Sequence, residues 1–190
     1  NDVYCINDYA FSGCASIKEI TLPDSLINIG ANAFSSCESM HSVIIPNKVE
    51  FIGKSAFRDC SSLLCVSLGE GVLTISDHAF DGCNKLVEVI NKSSLNIVAG
   101  SSSNGYLAYY AKTVHNGESK IVNKDGYLFC TINGINYLIN YIGTDTDLIL
   151  PKNYNNETYV INSYAFSKNN NIRSVTIDDS VSRIDAYAFS

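Results

Sequence analysis

Positive charge is scarce in this chain: 13 lysines and arginines stand against 19 aspartates and glutamates, giving a net charge of −6 and a pI near 4.9. A phosphate-binding surface needs concentrated basic residues, so nucleic acid is excluded as a partner. The same balance disfavours electrostatic docking on an anionic membrane. No apolar run reaches the length of a membrane span, so direct membrane insertion is not expected either. The chain opens at Asn1 in mid-pattern with no charged-then-apolar stretch ahead of it, which by itself decides nothing about compartment.

Signatures of site chemistry are missing as well. The seven cysteines include no Cys-x-x-Cys pair, which removes local support for a structural zinc site. The three histidines, His41, His78 and His115, occupy unrelated positions and assemble no Ser-His-Asp or Cys-His grouping, so exposed polar roles are expected for them. Asp145 and Asp147 lack the remaining ligands of a calcium loop, and turn formation before Leu148 is the plainer role. No cofactor, metal or catalytic residue is expected. Asn91-Lys92-Ser93 and Asn156-Glu157-Thr158 match the glycosylation triplet, which matters only in a eukaryotic secretory pathway.

What the chain does have is one phrase, repeated. Ala-Phe recurs at Ala10-Phe11, Ala33-Phe34, Ala56-Phe57 and Ala79-Phe80, each 23 residues after the last, and again 23 apart at Ala165-Phe166 and Ala188-Phe189. A fixed period of this size signals a repeat architecture. Within each unit an apolar residue (Ile17, Met40, Leu63, Leu86, Ile172) precedes a β-branched one (Ile20, Val43, Val66, Val89, Val175). Leu22, Ile45, Leu68 and Ile177 follow two residues on, and that period-2 step predicts a short strand. Pro23, Pro46 and Pro151 all fall directly after it, where a missing donor ends a strand. A second apolar pair, such as Leu26 and Ile29 or Val49 and Ile52, predicts a second short extended segment. The Ala-Phe-x-x-Cys stretch is expected to form a turn of 3₁₀- or α-helix that drives its Phe into the core.

No unit can bury these side chains alone; stacked, they form continuous internal columns and parallel sheets. Cys14, Cys37, Cys60 and Cys83 share one phase. Coils spaced about 4.8 Å apart leave neighbouring Cβ atoms too distant for an easy disulfide. A ladder of buried, inert thiols is therefore expected, with Cys65 as a free surface thiol.

The pattern breaks after Ile97, and Ser102-Ser103 stands where Ala-Phe is due. Residues 106–114 suit a short helix. Three strand-like runs follow, joined at Asp125-Gly126 and Asn133-Gly134, dipeptides that favour the positive φ of tight hairpins. The repeat resumes at Leu148, with residues 152–157 expected as an exposed bulging loop. The fold class is thus an α/β repeat solenoid of 23-residue units, with short parallel strands and short helical turns, interrupted by a helix plus β-meander insert. Its blocks are 1–98, an insert at 99–147, and 148–190. Neither end carries a polar cap, so a piece of a longer protein is expected.

Ile29-Gly30, Ala33-Phe34, Cys37, Met40, Val43 and Ile45-Pro46 together resemble the BspA-like, Treponema-type class of leucine-rich repeat, over roughly residues 3–98 and 148–190. The insert, with Tyr109-Tyr110-Ala111-Lys112 and the run from Asn123 to Tyr127, is similar to the island that interrupts such arrays in gut and oral anaerobic bacteria. Ser102-Ser103 and Asn169, which replaces the phrase's Cys, depart from it. The resemblance implies a secreted or cell-surface protein, extracellular, that works by adhesion or other protein contacts, and it carries over no catalytic residue.

Phase identifies the surface such contacts would use. If Ile20 and Leu22 point inward, Glu19 and Thr21 point outward. The matching outer columns are Glu19, Ser42, Cys65, Glu88, Asp147 and Ser174, and Thr21, Ile44, Ser67, Ile90, Ile149 and Thr176. An apolar row among small polar groups suits a protein partner better than a sugar, whereas an ordinary solvated sheet face would also carry β-branched residues. Six tyrosines lie in the insert: Tyr106, Tyr109, Tyr110, Tyr127, Tyr137 and Tyr141. Of these Tyr127, Tyr137 and Tyr141 are candidate contacts if exposed, and packing residues otherwise. The leading expectation is a non-catalytic protein-binding or adhesion module that meets a host or bacterial surface protein. The alternative is a structural spacer that positions another domain.

Overall fold

A computed structural model describes residues 3–190, in two compact units: one ends at Ser119 and the other spans Lys120–Ser190. The described residues form short strands and turns, with no helix among them. In the first unit the strands are β1 (Cys5–Ile6), β2 (Asn28–Ile29), β3 (Ser42–Ile44), β4 (Phe51–Ile52), β5 (Cys65–Leu68), β6 (Thr74–Ile75), β7 (Glu88–Asn91) and β8 (Thr113–His115). They pair into two parallel sheets, β1-β2-β4-β6 and β3-β5-β7-β8. Partners sit one coil apart, as in Ile29↔Ile52↔Ile75 and Val43↔Val66↔Val89. This is the parallel solenoid that the 23-residue period predicts.

The expected helical turn at Ala-Phe is overturned, and the backbone shows why. The amides of Asn32, Phe34 and Ser36 donate to the carbonyls of Lys54, Ala56 and Arg58 in the next coil, at 2.9, 2.7 and 2.7 Å. The intervening amides of Ala33, Ser35 and Cys37 donate back three residues, at 3.4, 3.1 and 3.2 Å. A 3₁₀- or α-helix would commit every amide to a carbonyl three or four residues back and stay at negative φ throughout. Here Asn32 and Ser36, which bracket Ala-Phe, lie at φ 53° and 58°. Left-handed residues recur in the same places at Tyr9 and Gly13, Ser55 and Asp59, His78 and Gly82, and Tyr164 and Lys168. The stretch is a pair of tight turns that leaves alternate amides free for the neighbouring coil.

The turns deliver their Phe side chains into one column. Phe11, Phe34, Phe57 and Phe80 stack with ring centroids 5.1, 5.1 and 5.0 Å apart and nearly parallel planes. The thiols of Cys37, Cys60 and Cys83 donate to the carbonyls of Phe11, Phe34 and Phe57 in the preceding coil, each at 3.2 Å. These three cysteines are buried, Cys14 is partly so, and all are free thiols. Burial, with lesser effects from Cys60 and Cys14, pushes the Cys37 thiol up to about 11. The glycine of the Ile-Gly phrase has its own cause at Gly53, where a Cβ would lie 2.6 Å from the carbonyl carbon of Gly30.

Residues 106–114 are not helical either. Asn104, Gly105 and Tyr106 are all left-handed, at φ 50°, 62° and 65°, and the Gly105 carbonyl accepts the Phe80 amide at 2.8 Å. Gly105 thus supplies, three residues late, what an alanine supplies in earlier coils; a Cβ there would collide with the Ser76 carbonyl oxygen. Leu107 and Ala108 then enter the core, and Lys112 and Thr113 donate to the Val87 carbonyl. Strand β8 continues the sheet beside β7 in the register Val89↔Val114. The expected boundary at residue 99 therefore falls inside the first unit.

The second unit holds β9 (Ile121–Lys124), β10 (Tyr127–Ile132), β11 (Ile135–Tyr141), β12 (Asp147–Ile149), β13 (Tyr159–Ile161), β14 (Ser174–Thr176) and β15 (Val181–Ile184). The meander is present: β9, β10 and β11 pair antiparallel. Its turn residues Asp125, Gly126, Asn133 and Gly134 are at φ 53°, 85°, 51° and 77°, the double positive φ of type I′ turns. Strand β11 also pairs parallel with β13, and β13 with β15, aligning Leu138, Ile161 and Ile184 at the 23-residue spacing. The last strand of the meander therefore also serves as the first rung of a repeat sheet. Strands β12 and β14 form the second sheet. Residues 152–157 are exposed except Tyr154, whose ring stacks on Phe129 at 4.2 Å while Asn155 and Asn156 turn the chain at φ 54° and 62°.

Phe57 is wholly buried between two stacked rings, so Phe57→Ala is expected to destabilise the first unit by about 3–5 kcal/mol in urea unfolding, and Phe57→Leu by much less. The Cys37 thiol adds a pH dependence. Its folded value is raised from 9.0, so its contribution is complete below pH 9 and is lost as pH climbs through about 11. The melting temperature should fall across that window, and less so in Cys37→Ala.

Candidate protein-contact face

Strands β3, β5 and β7 alternate as their sequence requires: Val43, Val66 and Val89 face inward, and Ser42 with Ile44, then Cys65 with Ser67, face out. Glu19 and Thr21 are exposed, and Ile44 is 70% exposed. Accessibility falls along the sheet, with Cys65 and Ser67 partly covered, so Cys65 is not the open surface thiol expected of it. At the fourth coil it ends: Glu88 is fully buried and Ile90 is 7% exposed. These two belong to no open contact face.

The cause lies in the segment after β8. The Glu88 carboxylate accepts the Ser119 hydroxyl at 2.5 Å and the Cys65 thiol at 3.4 Å on one oxygen, and lies 2.9 Å from His115 Nε2 on the other. The His115 Nδ1 accepts the Gly117 amide at 3.1 Å, which assigns the proton to Nε2 and makes it the donor to Glu88. His115, expected as a solvated histidine, is instead 16% exposed at its side chain. Although serine, histidine and carboxylate meet here, both Ser119 and His115 point at the carboxylate. A nucleophilic serine needs the base on its own hydroxyl, so this cluster is a pin holding the 113–119 segment. Sequence spacing hid it, because its partners are 27 and 31 residues from Glu88 rather than 23.

In the second unit Asp147 and Thr176 are exposed, as is Ile149 at 74%. Ser174 donates to Asp147 at 2.6 Å and Thr146 at 3.0 Å, and these bonds hold the Asp147 carboxyl below its ordinary range. The candidate tyrosines are placed differently. Tyr127, Tyr137 and Tyr141 are 8%, 9% and 5% exposed. Tyr127 donates to the Ile149 carbonyl at 3.1 Å, and Tyr141 donates to Asp145 at 2.9 Å. Tyr127 and Tyr141 are packing residues in one core with Phe129, Leu138 and Leu148, whereas Tyr137, adjacent to Leu138 on β11, is buried on the opposite face of the strand, beside Arg183. Of the six insert tyrosines the exposed ones are Tyr109 and Tyr110, grouped edge-on with Tyr106, which stacks on His78 at 5.3 Å.

Among the described residues no group of three or more His, Cys, Asp and Glu side chains is arranged to hold a metal ion, and no helix is long and apolar enough to cross a membrane. Burial and the nearby Lys85 and Lys18 lower the titration of His41.

The profile of the BspA type leucine-rich repeat region matches residues 1–104 and 146–190, in six copies. Solved structures similar to the chain include a leucine-rich cell surface protein from Faecalibacterium prausnitzii, 24% identical, covering 96% of this chain and 60% of that one, with a TM-score of 0.36. A leucine-rich repeat protein from Eubacterium ventriosum is 18% identical over 98% of this chain and 48% of its own, TM-score 0.36. One from Bacteroides ovatus is 19% identical over 99% and 56%, TM-score 0.34. The chain thus spans between about half and 60% of their lengths. No curated protein matches it.

Removing His115 strips a donor from a buried carboxylate, so His115→Ala is expected to cost roughly 1–3 kcal/mol in denaturant unfolding. A double-mutant cycle with Glu88→Ala should return a positive coupling; a coupling near zero would mean that the pair does not hold the segment.

Proposed function

Because this chain belongs to the BspA-type leucine-rich repeat family, we propose that it is a non-catalytic protein-binding module of a bacterial surface or secreted protein, with adhesion to a host or bacterial surface protein as its role. The observation that carries this reading is the exposure of Ile44 and Ile149, at 70% and 74%, on strands whose other outward groups are small and polar. An isoleucine held out on a rigid strand gains from being covered, by roughly 1.5–3 kcal/mol when fully buried. Its side chain is already restricted by β-branching, so little rotamer freedom is lost on binding. Glu19, Thr21 and Ser42 in the first unit, and Asp147, Ser174 and Thr176 in the second, supply the polar surround that interfaces place about an apolar centre. Ser67 sits half-covered at the margin.

The test is attachment of fluorescent beads coated with the purified chain to epithelial monolayers and to whole bacterial cells. Saturable attachment is expected, reduced roughly ten-fold or more by Ile44→Asp or Ile149→Asp. Attachment indifferent to both substitutions would favour a spacer that positions another domain.

A further inference from the structure

Residues 19–22 stand one period before Ser42-Val43-Ile44-Ile45 and share their pattern, yet the sheet starts at β3 and these residues form no strand. The coils are joined on either side of the gap. The His41 amide donates to the Lys18 carbonyl at 3.1 Å, and the Glu50 amide to the Ile27 carbonyl at 2.9 Å. Between these two bonds the seam is open. On the opposite edge of β3, His41 O accepts the Leu64 amide at 2.8 Å and the Ile45 amide donates to Ser67 O at 2.8 Å. By strand alternation the amide and carbonyl of Ile44 therefore face the seam. The equivalent bond there, from the Leu22 amide to the Ile44 carbonyl, is absent among the described residues. Ile20 is correspondingly part-exposed, while Val43, Val66 and Val89 in its column are 2%, 0% and 0% exposed.

The opening forms a cleft of about 370 Å³ lined by Glu19, Thr21, Leu22, Asp24, Ser42 and Ile44, among others. Among its lining residues the ionisable groups are the two carboxylates, Glu19 and Asp24. We propose that this seam is a strand-addition site for an extended, basic polypeptide segment. The proposal rests on the reading of this face as a protein-contact surface and names the chemistry of its partner. An incoming strand would accept the Ile44 amide, donate to its carbonyl, lay alternate apolar side chains against Ile44, and direct Lys or Arg toward Glu19 and Asp24. Main-chain pairing of this kind supplies affinity while the alternate side chains supply selectivity, and the carboxylates exclude acidic segments. Four residues span roughly 13 Å as a strand, which suits a seam bounded at both ends.

The experiment measures fluorescence anisotropy of a labelled Lys-Val-Lys-Val-Lys-Val peptide with the whole chain. Saturable binding is expected, weakened at least about ten-fold by the Glu19→Lys, Asp24→Lys double substitution. Ile44→Pro should weaken it similarly, since it removes the seam-facing donor and leaves the β3–β5 bonds intact. The same peptide N-methylated at alternate residues should not bind. Equal binding of the methylated peptide would mean charge adsorption alone, and overturns the proposal. So does absent binding, indifference of the charge-reversed chain, or concentration-dependent dimerisation of the wild type abolished by Ile44→Pro, which would make a second copy the occupant. If cell attachment falls with Ile44→Asp while the peptide fails to bind, the contact face stands and strand addition does not; if attachment is also indifferent, both readings fall.

Discussion

Everything in the first unit depends on one main-chain bond, from the amide of each Ala-Phe phenylalanine to a carbonyl in the next coil. Phe11, Phe34 and Phe57 make it at 2.7 Å, and Phe166 does so in the second unit. It sets the coil spacing at the point where the chain turns, and side chains on that turn must then repeat at the same interval. Rings held in register by it stack about 5 Å apart, a distance at which aromatic faces attract. The Phe carbonyl meanwhile takes two donors, as Phe34 does from the Cys37 amide and the Cys60 thiol, each at 3.2 Å. A small side chain with a weak donor is what that position requires. This explains a buried cysteine ladder without redox or metal chemistry.

The same bond governs how the array tolerates interruption. When Ala-Phe gives way to Ser102-Ser103, the chain delays by three residues and offers Gly105 to the waiting Phe80 amide. A buried unpaired amide would cost about 1–3 kcal/mol, and three successive left-handed residues, one of them glycine, avoid it. The delay shifts β8 by two residues against the period, pairing Thr113 with Glu88. It places His115 and Ser119 over a carboxylate that would otherwise have faced solvent like Glu19. The irregular coil thus removes the fourth rung from the outer face, and what stays open is concentrated at the first two rungs.

The period, the two strands per coil, the thiol ladder and both hairpins were legible in the residues, because each rests on side-chain phase or on dipeptides with a narrow conformational range. The turn type was not. Ala-Phe-x-x-Cys spaces its buried residues three apart, which fits a helical turn and a pair of tight turns equally well. Only left-handed φ at residues such as Asn32 and Ser36 separates the two; Gly13 and Gly82 carry that signal in two coils, and Tyr, Ser, His and Lys at other matching positions hide it. The role of β11 was hidden in a different way. Leu138 lies 23 residues before Ile161, but the hairpin at Asn133-Gly134 accounted for its alternation and masked the repeat.

The contact face was legible only as a phase, since phase fixes which way a side chain points and not what lies above it. Ile44 and Ile90 share one column, yet one is 70% exposed and the other 7%. The difference arises from residues more than 20 positions away, through a register shift that no periodic pattern encodes. The opening at residues 19–22 has the same character: those residues obey the repeat grammar in full, and their amides nonetheless leave the ladder that identical grammar closes at β5. A repeat sequence specifies how each rung could pair; which rungs stay unpaired depends on the geometry at either end. Such positions, where sequence periodicity persists and hydrogen bonding does not, are where a uniform scaffold can offer a partner main-chain groups that its other rungs have already used.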